Sequence, residues 1–170
     1  MQMKKVAILV SVVLSVSFLL GILTGCQTET KTTAPPILEF GELASDDEEA
    51  KWENESGRWK PATAVIDGEE KALTSQHFED LSVEQDKWDI VLLVFEYNEE
   101  GSRLSEQITE RLIGHPLAFF RGDEPLRGGD GQPITPIVQS VITDRGMIAG
   151  LSLSEAIDIY EQWVESSMAE

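Results

Sequence analysis

Two alternating patterns of apolar and polar positions organise the second half of this chain. Between Trp88 and Tyr97, the side chains of Ile90, Leu92 and Val94 point to one face of an extended segment. Val91, Leu93, Phe95 and Tyr97 point to the other. Both faces are apolar, which predicts a strand lying centrally in a sheet with cover on each side. A buried helical segment fits the β-branched and aromatic content less well. The polar break Asn98-Glu-Glu-Gly101 then opens a helix. Asn98 is placed to cap it, Glu99 and Glu100 lie in the turn where the macrodipole favours negative charge, and Leu104, Ile108 and Leu112 repeat at helical spacing. Gly114 and Pro116 stop it, so the helix should span about Glu99 to Ile113.

A second helix, about Leu153 to Ser166, is signalled by Ser152 and Glu155 in capping-box register, with Leu151 and Ala156 as the hydrophobic staple. Leu153, Ala156, Ile157, Tyr160, Trp163 and Val164 mark one broad apolar face. Between the helices, Leu117–Phe120, Ile134–Ile142 and Gly146–Leu151 read as strands punctuated by Gly, Pro and Asp. The predicted class is α+β: a mainly antiparallel sheet containing Trp88–Tyr97, with the two helices packed on it. Leu104, Ile108, Ala156, Ile157 and Tyr160 are the expected buried helix positions.

The first third of the chain has another character. Lys4-Lys5 precede an almost wholly apolar run, Val6–Leu23, which closes on Leu23-Thr-Gly-Cys26. That order resembles a bacterial lipobox, in which cleavage between Gly25 and Cys26 leaves a lipidated cysteine as the new N-terminus. An uncleaved anchor helix is the other reading, since about 18 apolar residues can span a bilayer. Both place the remainder of the chain outside the cytoplasm, and the lipoprotein reading puts it on the membrane through lipid on Cys26. Cys26 is the only cysteine, so no intrachain disulfide can form. Residues 26–36, rich in Thr and ending Pro35-Pro36, form a flexible tether reaching about 30 Å. Residues 37–170 then make one domain, with 41% apolar residues in the whole chain to supply a core. Ser45-Asp-Asp-Glu48 is placed to cap a short helix, and Trp52 and Trp59 read as packing residues.

Charge narrows the partners. The 170 residues carry a net charge of −18, and loss of Lys4 and Lys5 leaves 11 bases against 31 acids. So acidic a body is repelled by nucleic acid and by anionic lipid headgroups, and it favours cationic or neutral partners. Asp46-Asp-Glu-Glu49 offers oxygen ligands, but without the Asp-x-Asp-x-Asp-Gly spacing of a calcium loop it reads as a solvated face. His77 and His115 are the candidate general bases. No Gly-x-Ser-x-Gly, His-Glu-x-x-His or phosphate-binding loop accompanies them, so the expectation is no catalysis, no cofactor and no metal.

The order Phe95-Glu-Tyr-Asn-Glu-Glu-Gly101, Gly114-x-Pro-Leu-Ala118, Pro136-Ile-Val138, Val141-Ile-Thr143, Ile148-Ala-Gly150 and Leu153-Ser-Glu-Ala156 resembles SecD, a membrane protein of the export motor. Upstream, Ile37-Leu-Glu-Phe40 is similar to that family's Leu-Glu-Phe-Arg strand, and Leu73-Thr74 with Phe78 and Leu81 to its Leu-Thr-Gly-x-x-Leu turn. The similarity covers about Ile37 to Trp163 and implies the fold of the head of SecD's first extracytoplasmic domain. These motifs are turn glycines, caps and core positions, so they speak to fold before activity. Two departures stand out. Arg121–Pro133 is a longer, Gly-rich version of the family's hairpin, and the polytopic membrane region that carries proton coupling is not reached by Glu170.

The resemblance implies a non-catalytic module that binds exported, unfolded polypeptide or a translocon component. An acidic structural envelope lipoprotein and an enzyme with an unrecognised site are the alternatives. Within the binding reading, the Ile37–Leu43 strand or another sheet edge is expected to accept a peptide by strand addition, and Gly122, Gly128, Gly129 and Gly131 form an expected mobile lip beside it.

Overall fold

The computed structural model describes residues 35–168. Gly25, Cys26, the apolar run and nearly all of the tether lie outside the described residues. The strands are β1 (Glu39–Leu43), β2 (Trp52–Asn54), β3 (Gly57–Pro61), β4 (Thr63–Ile66), β5 (Glu69–Ala72), β6 (Phe78–Gln85), β7 (Val91–Tyr97), β8 (Leu117–Arg121), β9 (Glu124–Pro125) and β10 (Arg145–Ala149). The helices are α1 (Glu99–Arg111) and α2 (Leu153–Ser167), with a single 3-10 turn at Ser75–His77.

Where the sequence predicts one sheet, the strands form three, all antiparallel in their pairing: β2-β3-β1-β8-β9, β10-β7-β6 and the hairpin β4-β5. β7 is central, as its two apolar faces require. It starts at Val91 and not at Trp88, because Asp86 closes a tight turn: its Oδ1 accepts the N–H groups of both Trp88 and Ile90. Asp89 takes a positive φ of 61° in that turn, and Trp88 and Ile90 are left exposed. Ile134–Ile142 is not a strand. Pro136 lacks the N–H a ladder needs, and within the segment an isolated bridge at Ile137 remains, with another at Pro133 just before it. Ser45–Glu48 makes a turn, not a helix, because the chain must return within a few residues to place Trp52 in β2.

Alternation along β1 and β8 builds a core on each face of the five-stranded sheet. On one face Phe40 and Phe119 meet Phe78, Phe95 and Tyr97 from the three-stranded sheet. Phe40 forms T-shaped pairs with Phe78, Phe95 and Phe119, at 6.2, 5.9 and 5.3 Å between centroids, and the first two join the two sheets. On the other face Trp52 stacks on Phe120 at 4.1 Å beside Trp59. Gly41 makes that stack possible, since a Cβ there would sit 2.6 Å from the Phe120 ring.

Both helices start at the predicted caps. Asn98 Oδ1 accepts the Gly101 N–H at 2.8 Å, and Ser152 Oγ that of Glu155 at 3.2 Å. α1 buries Leu104 and Ile108. α2 lies against β6 and β7 and buries Ala156 and Ile159, whereas Ile157 and Tyr160 face outward. The apolar arc of α2 is wider than the surface covering it. The contact is made by Ala156, Trp163 and Ile159, the last of which the predicted face omitted, so the buried stripe is rotated round the helix and leaves Ile157 and Tyr160 open.

Candidate functional site

A site for strand addition needs a row of unpaired backbone groups. β1 offers none. It is paired on one side with β3 and on the other with β8, and Ser75 Oγ accepts the N–H groups of Ile37 and Leu38 just upstream. The expectation that Ile37–Leu43 is an open edge is therefore wrong: the strand's own alternation draws it to the centre of a sheet.

The three-stranded sheet ends in two outer strands, β6 and β10, and β10 is the one beside the Gly-rich segment. Its pairing with β7 runs from Arg145↔Glu96 to Ala149↔Leu92, continued by bonds from the Tyr97 N–H to Asp144 O and from the Gly150 N–H to Val91 O. Residues 144, 146, 148 and 150 thus exchange bonds with β7, and the backbone groups of Arg145, Met147 and Ala149 point away from it. All three residues are exposed, Met147 at 59%. The neighbouring residues Gly146 and Ile148 are buried and hold the strand in register.

The Gly-rich segment stands at the C-terminal end of this edge. Gly128, Gly129, Pro133 and Ile134 face Ala149 and Gly150 across an open cleft of about 390 Å³. The loop is tied at several points: the Gly129 N–H donates to Gly150 O at 2.9 Å, Gly131 to Gly128 O, and Gly128 to Gln132 O. Arg127 donates to Gly131 O at 2.9 Å and pairs with Glu55. These bonds give the turn its shape beside the β10 edge. Gly122 is not part of the cleft. It makes the β8–β9 turn at φ 61°, and its carbonyl accepts the Trp52 indole N–H at 2.9 Å.

A second cleft, about 510 Å³, opens between β1, β3, β4 and α1. At its base lies Glu42, only 3% exposed, with Lys60 Nζ 3.3 Å from Oε1 and Arg111 Nη1 2.7 Å from Oε2. Arg111 sits off the line a hydrogen bond requires, so that oxygen is paired by charge alone. Lys60 also binds Glu48, which together with the Ser45 N–H holds the Glu48 carboxyl down at about 2. Glu48 is thus committed to a turn and an ion pair. Among the described residues no three His, Cys, Asp or Glu side chains are grouped to hold a metal ion.

His77 and His115 occupy different turns. His115 is exposed after α1. His77 closes a capping box with Thr74, and its Nε2 lies 3.9 Å from Glu100. Burial is the main cause pushing the His77 pKa below its usual 6.5. The native state therefore holds fewer protons at this site than the unfolded chain does. Stability from His77 is complete above about 6.5 and is lost as pH falls through the lowered native value. His77→Gln keeps the capping box and removes the titration. Urea unfolding between about pH 5.5 and 7 should show a falling stability at the acid end for the wild type and a flatter profile for H77Q. Parallel profiles would exclude His77 as the source.

No family model matches this chain. Over 121 residues, 71% of its length, it is 52% identical to the protein translocase subunit SecD of Dehalococcoides mccartyi (strain VS). It spans only 27% of that relative. Its fold is similar to the membrane component SecDF that enhances protein export, with a TM-score of 0.51 and 19% identity over 75% of this chain and 61% of that one. It is equally similar to SecDF in a super-membrane-facing form, TM-score 0.51 at 19% identity, covering 75% of this chain and 18% of that one. At 19% the structural likeness is one of fold. The closer sequence relation agrees with it, and the described domain is SecD/SecDF head-like. Among the described residues no helix is long and apolar enough to cross a membrane.

Proposed function

We propose that this SecD-like domain serves protein export outside the cytoplasm, where it takes up extended polypeptide without turnover along the free edge of β10. The observation carrying the export role is the 52% identity to a translocase subunit over 121 residues. The edge itself supports the mode of binding. An extended chain beside Arg145–Ala149 would pair its backbone with the outward groups of Arg145, Met147 and Ala149. Such bonds give affinity with little dependence on sequence, which suits a binder of varied unfolded chains. The cleft between the Gly128–Gly129 turn and Ala149 would receive one side chain at the end of the added strand. Charge biases the choice of ligand: a body of net charge −18 attracts Lys- and Arg-bearing segments, and salt weakens that attraction.

A proline at 147 tests this directly. The Met147 N–H points away from β7, so Pro is tolerated by the sheet while removing one donor and blocking the edge. Fluorescent segments of unfolded secretory proteins should bind the full chain at about 100 μM or better, and more weakly in high salt. Met147→Pro should reduce binding about tenfold with an unchanged circular dichroism spectrum. Binding untouched by M147P would place the peptide elsewhere, and no binding at all would favour a structural envelope lipoprotein.

The same reading has the domain held at the membrane surface by lipid on Cys26, with residues 27–36 as the tether. Mass spectrometry of the protein from its own cells should give an N-terminal peptide starting at a diacylated Cys26. An intact Met1–Gly25 would refute the lipid anchor in favour of an uncleaved anchor helix, and an unmodified thiol on Cys26 would refute it outright.

A further inference from the structure

The outward half of the α2 apolar arc is unaccounted for by the edge-binding role. Leu153, Ile157 and Tyr160 are 47%, 40% and 39% exposed, and Val164 continues their row half-buried. Their spacing of four, three and four residues is that of a helix–helix seam, and it aligns them along about 17 Å of the helix. The row does not belong to the core contact, which Ala156, Ile159 and Trp163 make further round the helix.

The flank away from the core is acidic. Asp158, Glu161 and Glu165 lie beside the row and are exposed. Asp158 pairs with Arg121 at 3.2 Å, while Glu161 and Glu165 enter no ion pair among the described residues. We infer that this seam docks an amphipathic helix of a partner polypeptide, one with an apolar a/d row and Lys or Arg along the flank that faces Glu161 and Glu165. Charge complementarity selects that occupant. A second copy of α2 would bring two acidic rows together, and an anionic membrane surface would meet the same carboxylates.

The probe is a 21-residue peptide with Leu and Ile at its a and d positions and Lys at its flanking positions. A control peptide carries Glu in place of every Lys. Each is titrated against the full chain in neutral phosphatidylcholine nanodiscs, with empty nanodiscs as reference. The basic peptide should bind the protein-bearing discs and weaken about fivefold or more between about 50 and 500 mM salt. The acidic control should bind at least about tenfold less tightly. Ile157→Ser with Tyr160→Ser should cost a similar factor, since both side chains are exposed and their loss leaves the core intact. Met147→Pro should leave this binding unchanged, which separates the seam from the strand edge. Equal binding of the acidic control, or indifference to I157S/Y160S, would overturn the inference. So would a protein dimer that the same pair of substitutions dissociates, because the seam would then belong to a second copy.

Discussion

Phe40→Ala is expected to destabilise the domain by about 3–5 kcal/mol, the range for deleting a fully buried aromatic side chain. The domain's whole stability is of order 5–15 kcal/mol, so the melting temperature should fall by roughly 10–20 °C. Position explains the size. Phe40 projects from the central strand of the five-stranded sheet onto Phe78 and Phe95 of the three-stranded one, and onto Phe119 beside it. Its removal empties the junction between two sheets that share no backbone ladder. Phe40→Leu retains most of the volume and should cost under about 2 kcal/mol. Chemical denaturation of the two variants checks the argument. A loss under about 1 kcal/mol for F40A would mean the sheets are held together elsewhere.

Arg111→Met should cost about 1.5–3 kcal/mol, more than an exposed ion pair is worth. The carboxylate it serves is the reason. Glu42 is buried at the base of the β1–α1 cleft, and without Arg111 it keeps only Lys60, a cation it shares with Glu48. The estimate lies below the range for a fully buried pair because Arg111 itself is about half exposed, at 49%. Arg111 also donates to Thr63 O at 2.8 Å, so it ties α1 to the start of β4. Glu42→Gln introduced beside R111M should recover part of the loss by removing the stranded charge. A double-mutant cycle measures this, with a coupling of about 1 kcal/mol expected. Additive single effects would mean that solvent already screens Glu42.

Much of the architecture was legible locally. Asn98, Ser152 and Gly114 announce helix ends through side-chain capping and a left-handed turn, interactions made within four residues of the chain. β7 was legible because both its faces are apolar, a property that does not depend on which strands flank it. Partnering was not legible. β1 and β10 both read as short alternating strands, yet one is central and the other an edge, and that depends on long-range pairing with β3, β8 and β7. Of the edges the sequence offered, the one it named, Ile37–Leu43, is therefore not an edge, and Met147 carried no signal of its own.

The α2 helix shows the same division most simply. By itself the sequence determined a helix over about Leu153 to Ser166 with a wide apolar arc, against Leu153–Ser167 observed, because helix periodicity is a property of the local chain. It also determined, through the matching order of turns, caps and core positions, that the domain is SecD-like. Only the tertiary structure decided which half of the arc is buried. Ile159 lies in the core while Ile157 and Tyr160 face solvent, since β6 and β7 present a surface narrower than the arc. Glu42 follows the same logic. Its charge suggests a solvated position, and it is buried because β3 and α1 bring Lys60 and Arg111 to it from 18 and 69 residues away. Neighbours along the chain fix conformation, whereas burial is fixed by groups that only folding brings together.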